Sequence, residues 1–201
     1  MDVPVTLVDL LRHGEPQGGQ RFRGTLDDPL SAAGWTQLEA ATGDGAWDCI
    51  VTSPLRRCRE FAQVLAQRQG LAAEVEADFR EISFGRWEGL TAAQVRAEYG
   101  IALTRFWRDP VAYPPPDGEP IADFCARVEG AWHRVVERAR GQRVLLIGHG
   151  GTHAMLLRAV LGMPLSHSWR LRLGYAGMAR LRFEHQPDGT VPALLRLDPG
   201  V

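Results

Sequence analysis

A chain of 201 residues with 45% hydrophobic and 23% charged side chains predicts one globular domain, residues 1–201, with a sizeable core. Its net charge of −1 gives no field that favours nucleic acid, and no stretch is apolar enough to span a membrane. All 23 basic residues are arginine, which excludes lysine Schiff-base and phosphate-loop lysine chemistry.

The cysteines and the N-terminus bear on the cellular compartment of the protein. Three widely spaced cysteines, Cys49, Cys58 and Cys125, predict reduced thiols rather than a disulfide framework or a metal cluster. The N-terminus shows no basic, apolar leader. We therefore expect a cytoplasmic protein.

The first part of the chain alternates short apolar runs with helical patterns. Three runs predict strands, the first of them buried on both faces: residues 5–11, 49–51 and 73–78. Ser31 is a candidate cap for a helix that ends near Thr42. Ser53, followed by Pro54, predicts the start of the next helix, whose apolar stripe comprises Leu55, Cys58, Phe61, Ala62 and Leu65.

Residues 84–120 have the pattern of an insertion. They contain two short helical patterns, at 91–99 and 104–108, and a proline-rich irregular segment at 113–118. Insertions beyond strand ends tend to cover a site, so Trp87 and residues 99–116 are candidates for a roof, with surface packing as the alternative.

The rest of the chain again alternates helical and strand patterns. Residues 121–140 form the clearest amphipathic helix pattern. They are followed by a buried strand at 144–147 and a helix at 151–161. The tail predicts three further strands: residues 168–173, 178–184 and 193–197.

This order of elements predicts an α/β fold, a three-layer α/β/α sandwich with a largely parallel sheet. In such sheets, ligands bind beyond the carboxyl ends of the strands. Arg12 and His13 follow the first strand, and Ser53 to Arg57 follow the second. Glu81 follows the third strand and His149 the next one. We expect these side chains to meet at one edge of the sheet.

Together these strand-end side chains have the chemistry needed for nucleophilic attack on a phosphate. A neutral imidazole is a competent nucleophile, and arginine forks offset the charge of a phosphate monoester. A protonated His149, beside the helix start at Gly150, would donate to a phosphate oxygen. Glu81 is the candidate acid and then base, because a carboxyl beside bound phosphate has a raised pKa. No metal is needed, and the pair His149 and His153 lacks the glutamate that usually accompanies such a zinc spacing.

Five segments, in order along the chain, resemble the motifs of the histidine phosphatase superfamily, in its phosphoglycerate-mutase-like branch. They are residues 11–15 (Leu-Arg-His-Gly-Glu), 27–34, 53–57, 81–89 and 148–151. The resemblance covers nearly the whole chain. It implies a phosphoglycerate-mutase-like fold with a helical insertion over the active site. It also implies a phosphatase of the histidine acid type, a phosphoric monoester hydrolase without a cofactor.

The resemblance implies roles as well. His13 would be the phosphorylated nucleophile and Glu81 the acid and base. The candidate phosphate ligands come from several elements: Arg12, Arg57, His149, Gly150, Arg23 and Gly24.

The chain departs from the family pattern at Gly19. Many members carry asparagine six residues after the nucleophile, where this chain has glycine. That phosphate contact is missing or comes from another residue, with Gln17, Gln20 and Arg23 as candidates.

The substrate is predicted only by comparing short motifs of this chain with those of subfamilies within the superfamily. The paired arginines that the mutases use for a substrate carboxylate are not seen after Glu81, which favours a phosphatase. The glycine-rich loop before Arg23 and the run at 84–88 resemble α-ribazole phosphatases of cobalamin biosynthesis. The alternatives are a broad-specificity or sugar-phosphate phosphatase, a phosphoglycerate-mutase-type phosphotransferase, and a non-catalytic module that binds phosphorylated ligands. We expect a small phosphorylated metabolite as partner, and a monomer or homodimer without nucleic acid or membrane partners.

Overall fold

The computed structural model describes residues 3–201; Met1 and Asp2, at the N-terminus where no leader is predicted, lie outside this range. Within it, six strands, β1 to β6, are Val5–Arg12, Cys49–Thr52, Ala73–Val75, Arg143–Gly148, Met178–Gln186 and Gly189–Asp198. Six α-helices, α1 to α6, are Ala32–Thr42, Arg56–Arg68, Ala92–Tyr99, Ala102–Arg108, Ile121–Arg138 and Gly150–Val160. Three short 3₁₀-helices are Ala77–Phe79, Gly85–Trp87 and Leu165–Arg170.

The strands form one mixed sheet in the order β3-β2-β4-β1-β5-β6. The first four strands in this order run parallel, whereas β5 and β6 are antiparallel to their neighbours. The prediction of an α/β fold with a largely parallel sheet is confirmed. The antiparallel edge is the hairpin formed by the tail of the chain.

Alternating side chains of β1 separate two apolar layers. Leu10 faces one layer, where it joins Phe124 of α5 and Met155 of α6. Leu11 faces the opposite layer and joins Phe61 of α2. Because successive strand residues point to opposite faces, one strand anchors both cores and the sheet lies between them.

The start of α1 is held close to the loop after β1. Ser31 caps the helix as predicted, because its side chain accepts a hydrogen bond from the backbone N–H of Gly34 at 3.0 Å. A Cβ atom on Gly14 would overlap the carbonyl of Gly34. The residue after His13 therefore has to be small if this approach is to be kept.

Two predicted boundaries are wrong. Helix α2 begins at Arg56, with no side-chain cap, so Ser53 and Pro54 precede the helix. The third strand ends at Val75, because the side chain of Glu76 accepts from the N–H of Asp78 and a 3₁₀ turn follows.

Residues 168–173 do not form a strand. Their first part belongs to the 3₁₀-helix Leu165–Arg170. Trp169, Leu171, Arg172 and Leu173 line a cavity at the sheet edge, so this run forms a cavity wall rather than a sheet face.

Among the residues that the structure describes, no helix has the length and apolar character needed to cross a membrane.

Candidate active site

Three strands of the parallel part of the sheet each deliver a polar side chain at their carboxyl ends. His13 follows β1, Ser53 follows β2 and His149 follows β4. The backbone N–H of His13 donates to the carbonyl of Gly148 at 2.9 Å, which continues the β1–β4 pairing up to the histidine. The rings of His13 and His149 lie with their centroids 5.3 Å apart. The strand ends therefore bring together two histidines that are far apart in sequence.

His13 presents one nitrogen to a cavity. Its Nδ1 lies 2.7 Å from the carbonyl oxygen of Gly14, and because a carbonyl only accepts, Nδ1 carries the proton. Nε2 then holds the lone pair. Burial, together with the charges of Arg57 and Arg12, lowers the pKa of His13 well below 6.5. The ring is therefore neutral at neutral pH, which is the form that can attack phosphorus.

Arg12 lies beside His13 at the cavity wall. Its Nη1 donates to the carbonyl of Leu173 at 2.5 Å, and its guanidinium carbon lies 4.6 Å from the ring centre of Tyr175. Its buried Nε has no hydrogen-bond partner within residues 3–201. A Cβ on Gly150 would approach the guanidinium to 3.4 Å, so the glycine leaves this side of Arg12 open. Arg12 is the cation best placed to meet a phosphate.

Arg57 is fully buried and does not line the cavity. Its Nη1 donates to the carbonyl of Leu26 at 2.7 Å, and Nη2 donates to the carbonyls of Arg23 and Gly24. Its Nε donates to Nδ1 of His149 at 3.2 Å. Direct phosphate binding by Arg57, as the sequence predicts, would require one of these bonds to be exchanged.

His149 is held between Arg57 of α2 and Ser53 at the end of β2. Because Nδ1 accepts from Arg57, the proton lies on Nε2, which donates to Oγ of Ser53 at 2.6 Å. Burial and the charge of Arg57 lower the pKa of His149 well below 6.5. This geometry favours a neutral ring, in contrast to the protonated one expected from the sequence. His149 is fully buried and does not line the cavity, so a phosphate oxygen would have to displace Ser53 to accept the Nε2 proton.

Glu81 lines the cavity together with Arg12 and His13. Its Oε2 accepts from the backbone N–H of Gly151 at 2.9 Å and its Oε1 from that of Ile82 at 3.0 Å. Burial raises the pKa of Glu81, against the effect of the two backbone bonds and of the nearby arginines. A Cβ on Gly151 would overlap Oε1, so glycine is needed at the start of α6.

The loop after His13 is organised by Arg23. Its Nε pairs with Asp28 at 2.7 Å, and its Nη2 donates to the carbonyls of Gln17 and Gly19. Of the three candidates for the missing asparagine contact, Arg23 lines the cavity, whereas Gln17 and Gln20 do not.

Gly24 does not line the cavity. Its N–H donates to the carboxylate of Glu88 at 3.0 Å, and a Cβ would overlap the carbonyl of Ile82. Glu88 also accepts from the N–H groups of Thr25, Leu26 and Phe84. The position of Gly24 therefore supports a structural role, in contrast to the predicted phosphate contact.

The cavity has a volume of about 260 Å³. Its inner end is formed by Arg12, His13, Glu81, Gly150 and Gly151. Its outer part is bordered mainly by aromatic and arginine side chains. The insertion contributes Trp107 to this wall, while Trp87 is buried and packs against Phe106 at 5.5 Å between ring centroids.

One site residue was given the wrong role by the sequence reasoning and another was missed. Ser53 was expected at this sheet edge, directly after the second strand, but only as a helix cap. Tyr175, whose ring centroid lies 5.7 Å from that of His13, belongs to an irregular segment that carries no local signal.

His153 is not part of a metal site in this arrangement. Both of its buried ring nitrogens lack a partner within residues 3–201, and burial lowers its pKa to about 3. In this part of the chain, no group of three or more His, Cys, Asp or Glu side chains is arranged to hold a metal ion.

Comparisons with known proteins agree with the geometry of the site. A family model described as the histidine phosphatase superfamily, branch 1, matches residues 8–191. A Mycobacterium tuberculosis protein named as bifunctional is 34% identical over 180 residues, which are 87% of this chain and 49% of that protein. This chain therefore spans about half the length of that relative.

Other relatives match over most of their length. Glucosyl-3-phosphoglycerate phosphatase of Mycobacterium tuberculosis is 36% identical over 174 residues, covering 79% of this chain and 76% of the relative. The solved structure of a mycobacterial glucosyl-3-phosphoglycerate phosphatase has a TM-score of 0.86 at 30% identity, covering 98% of this chain and all of the other. An α-ribazole phosphatase from Shigella flexneri has a TM-score of 0.79 at 24% identity, over 96% of each chain, and shows the fold alone.

Proposed function

Because this chain belongs to the histidine phosphatase superfamily, we propose that it hydrolyses small phosphomonoesters through a phosphohistidine on His13. The observation that carries the proposal is the hydrogen bond from Nδ1 of His13 to Gly14, which leaves the lone pair on Nε2. Arg12 and the start of α6 line the same cavity and supply positive charge for the phosphate.

The first step is phosphoryl transfer to the enzyme. Nε2 of His13 attacks phosphorus, the N–P bond forms, and the P–O bond to the leaving group breaks. Arg12 and the Nε2 proton of His149 stabilise the charge on the phosphoryl oxygens. Glu81, whose buried carboxyl has a raised pKa, donates its proton to the departing alkoxide.

The second step releases phosphate. Glu81, now a carboxylate, takes a proton from water as the water oxygen attacks phosphorus, and the N–P bond breaks. His13 returns to its neutral state and Glu81 regains its proton. No step draws on a metal ion.

The substrate class is supported by relatives rather than by geometry. The relatives with 36% identity and the solved structure with 30% identity are named glucosyl-3-phosphoglycerate phosphatases, which favours the phosphate ester of a sugar or sugar acid. The α-ribazole phosphatase alternative rests on the motif resemblance and on solved structures with 23% and 24% identity, which show the fold alone.

The test is to trap the intermediate. The enzyme is mixed with a ³²P-labelled sugar phosphate, quenched in alkali, and digested for mass spectrometry. We expect label on His13 in the wild-type protein and none in His13→Asn. Absence of label combined with tight substrate binding would indicate a non-catalytic binding module. Transfer of label to a second hydroxyl rather than to water would indicate a phosphotransferase.

A further inference from the structure

The outer part of the cavity contains side chains that the proposed chemistry does not use. Four aromatic residues and two arginines border it: Phe22, Phe84, Trp107, Trp169, Arg21 and Arg172. The ring of Phe22 stacks on that of Trp107, with centroids 6.2 Å apart and an interplanar angle of 27°. The guanidinium carbon of Arg172 lies 5.3 Å from the ring centre of Trp107. An aromatic surface with cations at its border therefore lines the outer part of the cavity.

The two arginines carry charge that the protein does not neutralise. Arg21 donates to the carbonyl of Gly18, and Arg172 lies over the indole of Trp107. Over residues 3–201, neither arginine takes part in an ion pair. Arg23, which also lines the cavity, is paired with Asp28. The surplus positive charge thus comes from Arg21 and Arg172.

The phosphate does not account for this surplus. A phosphate monoester carries about two negative charges near neutral pH. Arg12 at the inner wall and Arg57 behind it supply two positive charges. The charges of Arg21 and Arg172 remain at the outer end, where the leaving group has to lie.

Resting on the phosphatase function proposed above, we propose that Arg21 and Arg172 bind a second anionic group carried by the leaving group, with its carbon skeleton against Phe22 and Trp107. A guanidinium stacked on an indole still presents its edge N–H groups, which match the two oxygens of a carboxylate or a phosphate. The cavity volume of about 260 Å³ restricts the substrate to a small metabolite.

The experiment compares substrates that differ only in the second anion. 3-Phosphoglycerate against glycerol 3-phosphate tests a carboxylate, and fructose 1,6-bisphosphate against fructose 6-phosphate tests a second phosphate. For each pair, the quantity measured is the ratio of kcat/KM for the member with the anion to that for the member without it. We expect the wild-type ratio to be about ten or more in at least one pair.

Two variants and one control test whether the preference for the anionic substrate depends on these arginines. Arg21→Gln and Arg172→Gln should each lower the preferred pair's ratio severalfold, while kcat/KM for the member without the anion stays unchanged. Arg170→Gln is the control, because Arg170 is exposed on the neighbouring 3₁₀-helix and does not line the cavity. It should leave both members unaffected.

The outcomes separate this inference from the phosphatase function itself. A wild-type ratio near one in both pairs, or a ratio that either arginine variant leaves unchanged, would overturn the second-anion site while turnover persists. If no compound is turned over, the dissociation constants of the same pairs are measured by calorimetry on His13→Asn. Preference for the anionic member that depends on both arginines would then support the site, and equal affinity would overturn it.

Discussion

Oγ of Ser53 lies 2.6 Å from Nε2 of His149, so the second histidine is oriented by a side chain at the end of the neighbouring strand. Replacing Ser53 with alanine leaves a buried imidazole N–H unpaired, which costs about 1–3 kcal/mol. We expect Ser53→Ala to lower both the free energy of unfolding, measured by urea denaturation, and kcat. The comparison is Thr91→Ala, which loses the cap of α3, a helix whose residues do not line the cavity, and should lower stability by a similar amount. A kcat equal to that of Thr91→Ala would contradict a role of Ser53 in orienting His149.

The nitrogen that takes the phosphoryl group is predicted by the tautomer of His13. Nδ1 is engaged with the carbonyl of Gly14, so phosphorylation is expected at Nε2. ³¹P NMR of the alkali-quenched phosphoenzyme distinguishes the two isomers of phosphohistidine. Phosphorylation at Nδ1 would show that the imidazole ring of His13 flips during the reaction.

Glu81→Gln should slow substrates according to their leaving group. A general acid contributes about 10²- to 10⁴-fold to rate, and most where the leaving alkoxide is strongly basic. We expect a large loss of kcat for a sugar phosphate and a small one for 4-nitrophenyl phosphate. Because the protonated form of Glu81 is the acid, wild-type kcat for the sugar phosphate should fall as the pH rises through the raised pKa of Glu81. This limb should be absent in the variant. Equal losses for both substrates would locate the acid elsewhere.

Gly151→Ala tests the close approach between α6 and Glu81. The added Cβ would overlap Oε1 of Glu81 and displace the carboxyl from the cavity. We expect kcat for a sugar phosphate to approach that of Glu81→Gln. Gly130→Ala is the matched control, because Gly130 lies within α5 and a Cβ there comes no closer than 3.6 Å to the Arg134 side chain. This control should retain activity and gain about 0.5–1 kcal/mol of stability.

Buried histidines should make the fold sensitive to acid. The pKa of His153 is about 3 in the folded protein and near 6.5 when unfolded, so the unfolded state binds more protons between these values. Stability is then lost as the pH falls below 6.5, by up to about 1.4 kcal/mol per pH unit for each such proton. His153→Leu should reduce this slope in urea denaturation series at pH 7.5, 6 and 5. A slope equal to that of the wild type would mean that His153 is protonated in the fold.

The sheet-edge site could be predicted because its signals are local and its assembly follows from topology. His13 and His149 each follow an apolar run, and the carboxyl ends of parallel strands meet at one edge. Ser53 was placed at this edge by the same rule, but its role could not be assigned. A serine before a helical pattern has the same local sequence whether its hydroxyl caps the helix or holds an imidazole, and only the distant β4 decides between them.

The irregular segment near Tyr175 gave no sequence signal because it is positioned by backbone contacts. The N–H of Tyr175 donates to the carbonyl of Val201 at 2.8 Å, and the N–H of Val201 donates back to Tyr175 at 3.1 Å. Such bonds do not depend on side-chain type. The helical patterns in the insertion were visible, but which of its tryptophans would reach the cavity depends on how α4 packs.

The carboxylate of Glu88 has a consequence for transplanting specificity between relatives. Because it accepts from Gly24, Leu26 and Phe84, the start of the 84–120 segment and the loop around Gly24 are joined at one side chain. A chimaera that receives a segment without a carboxylate at position 88 would lose these bonds and release the loop whose carbonyls accept from Arg57. A graft therefore has to bring a carboxylate at position 88 and meet the backbone path of residues 24–26.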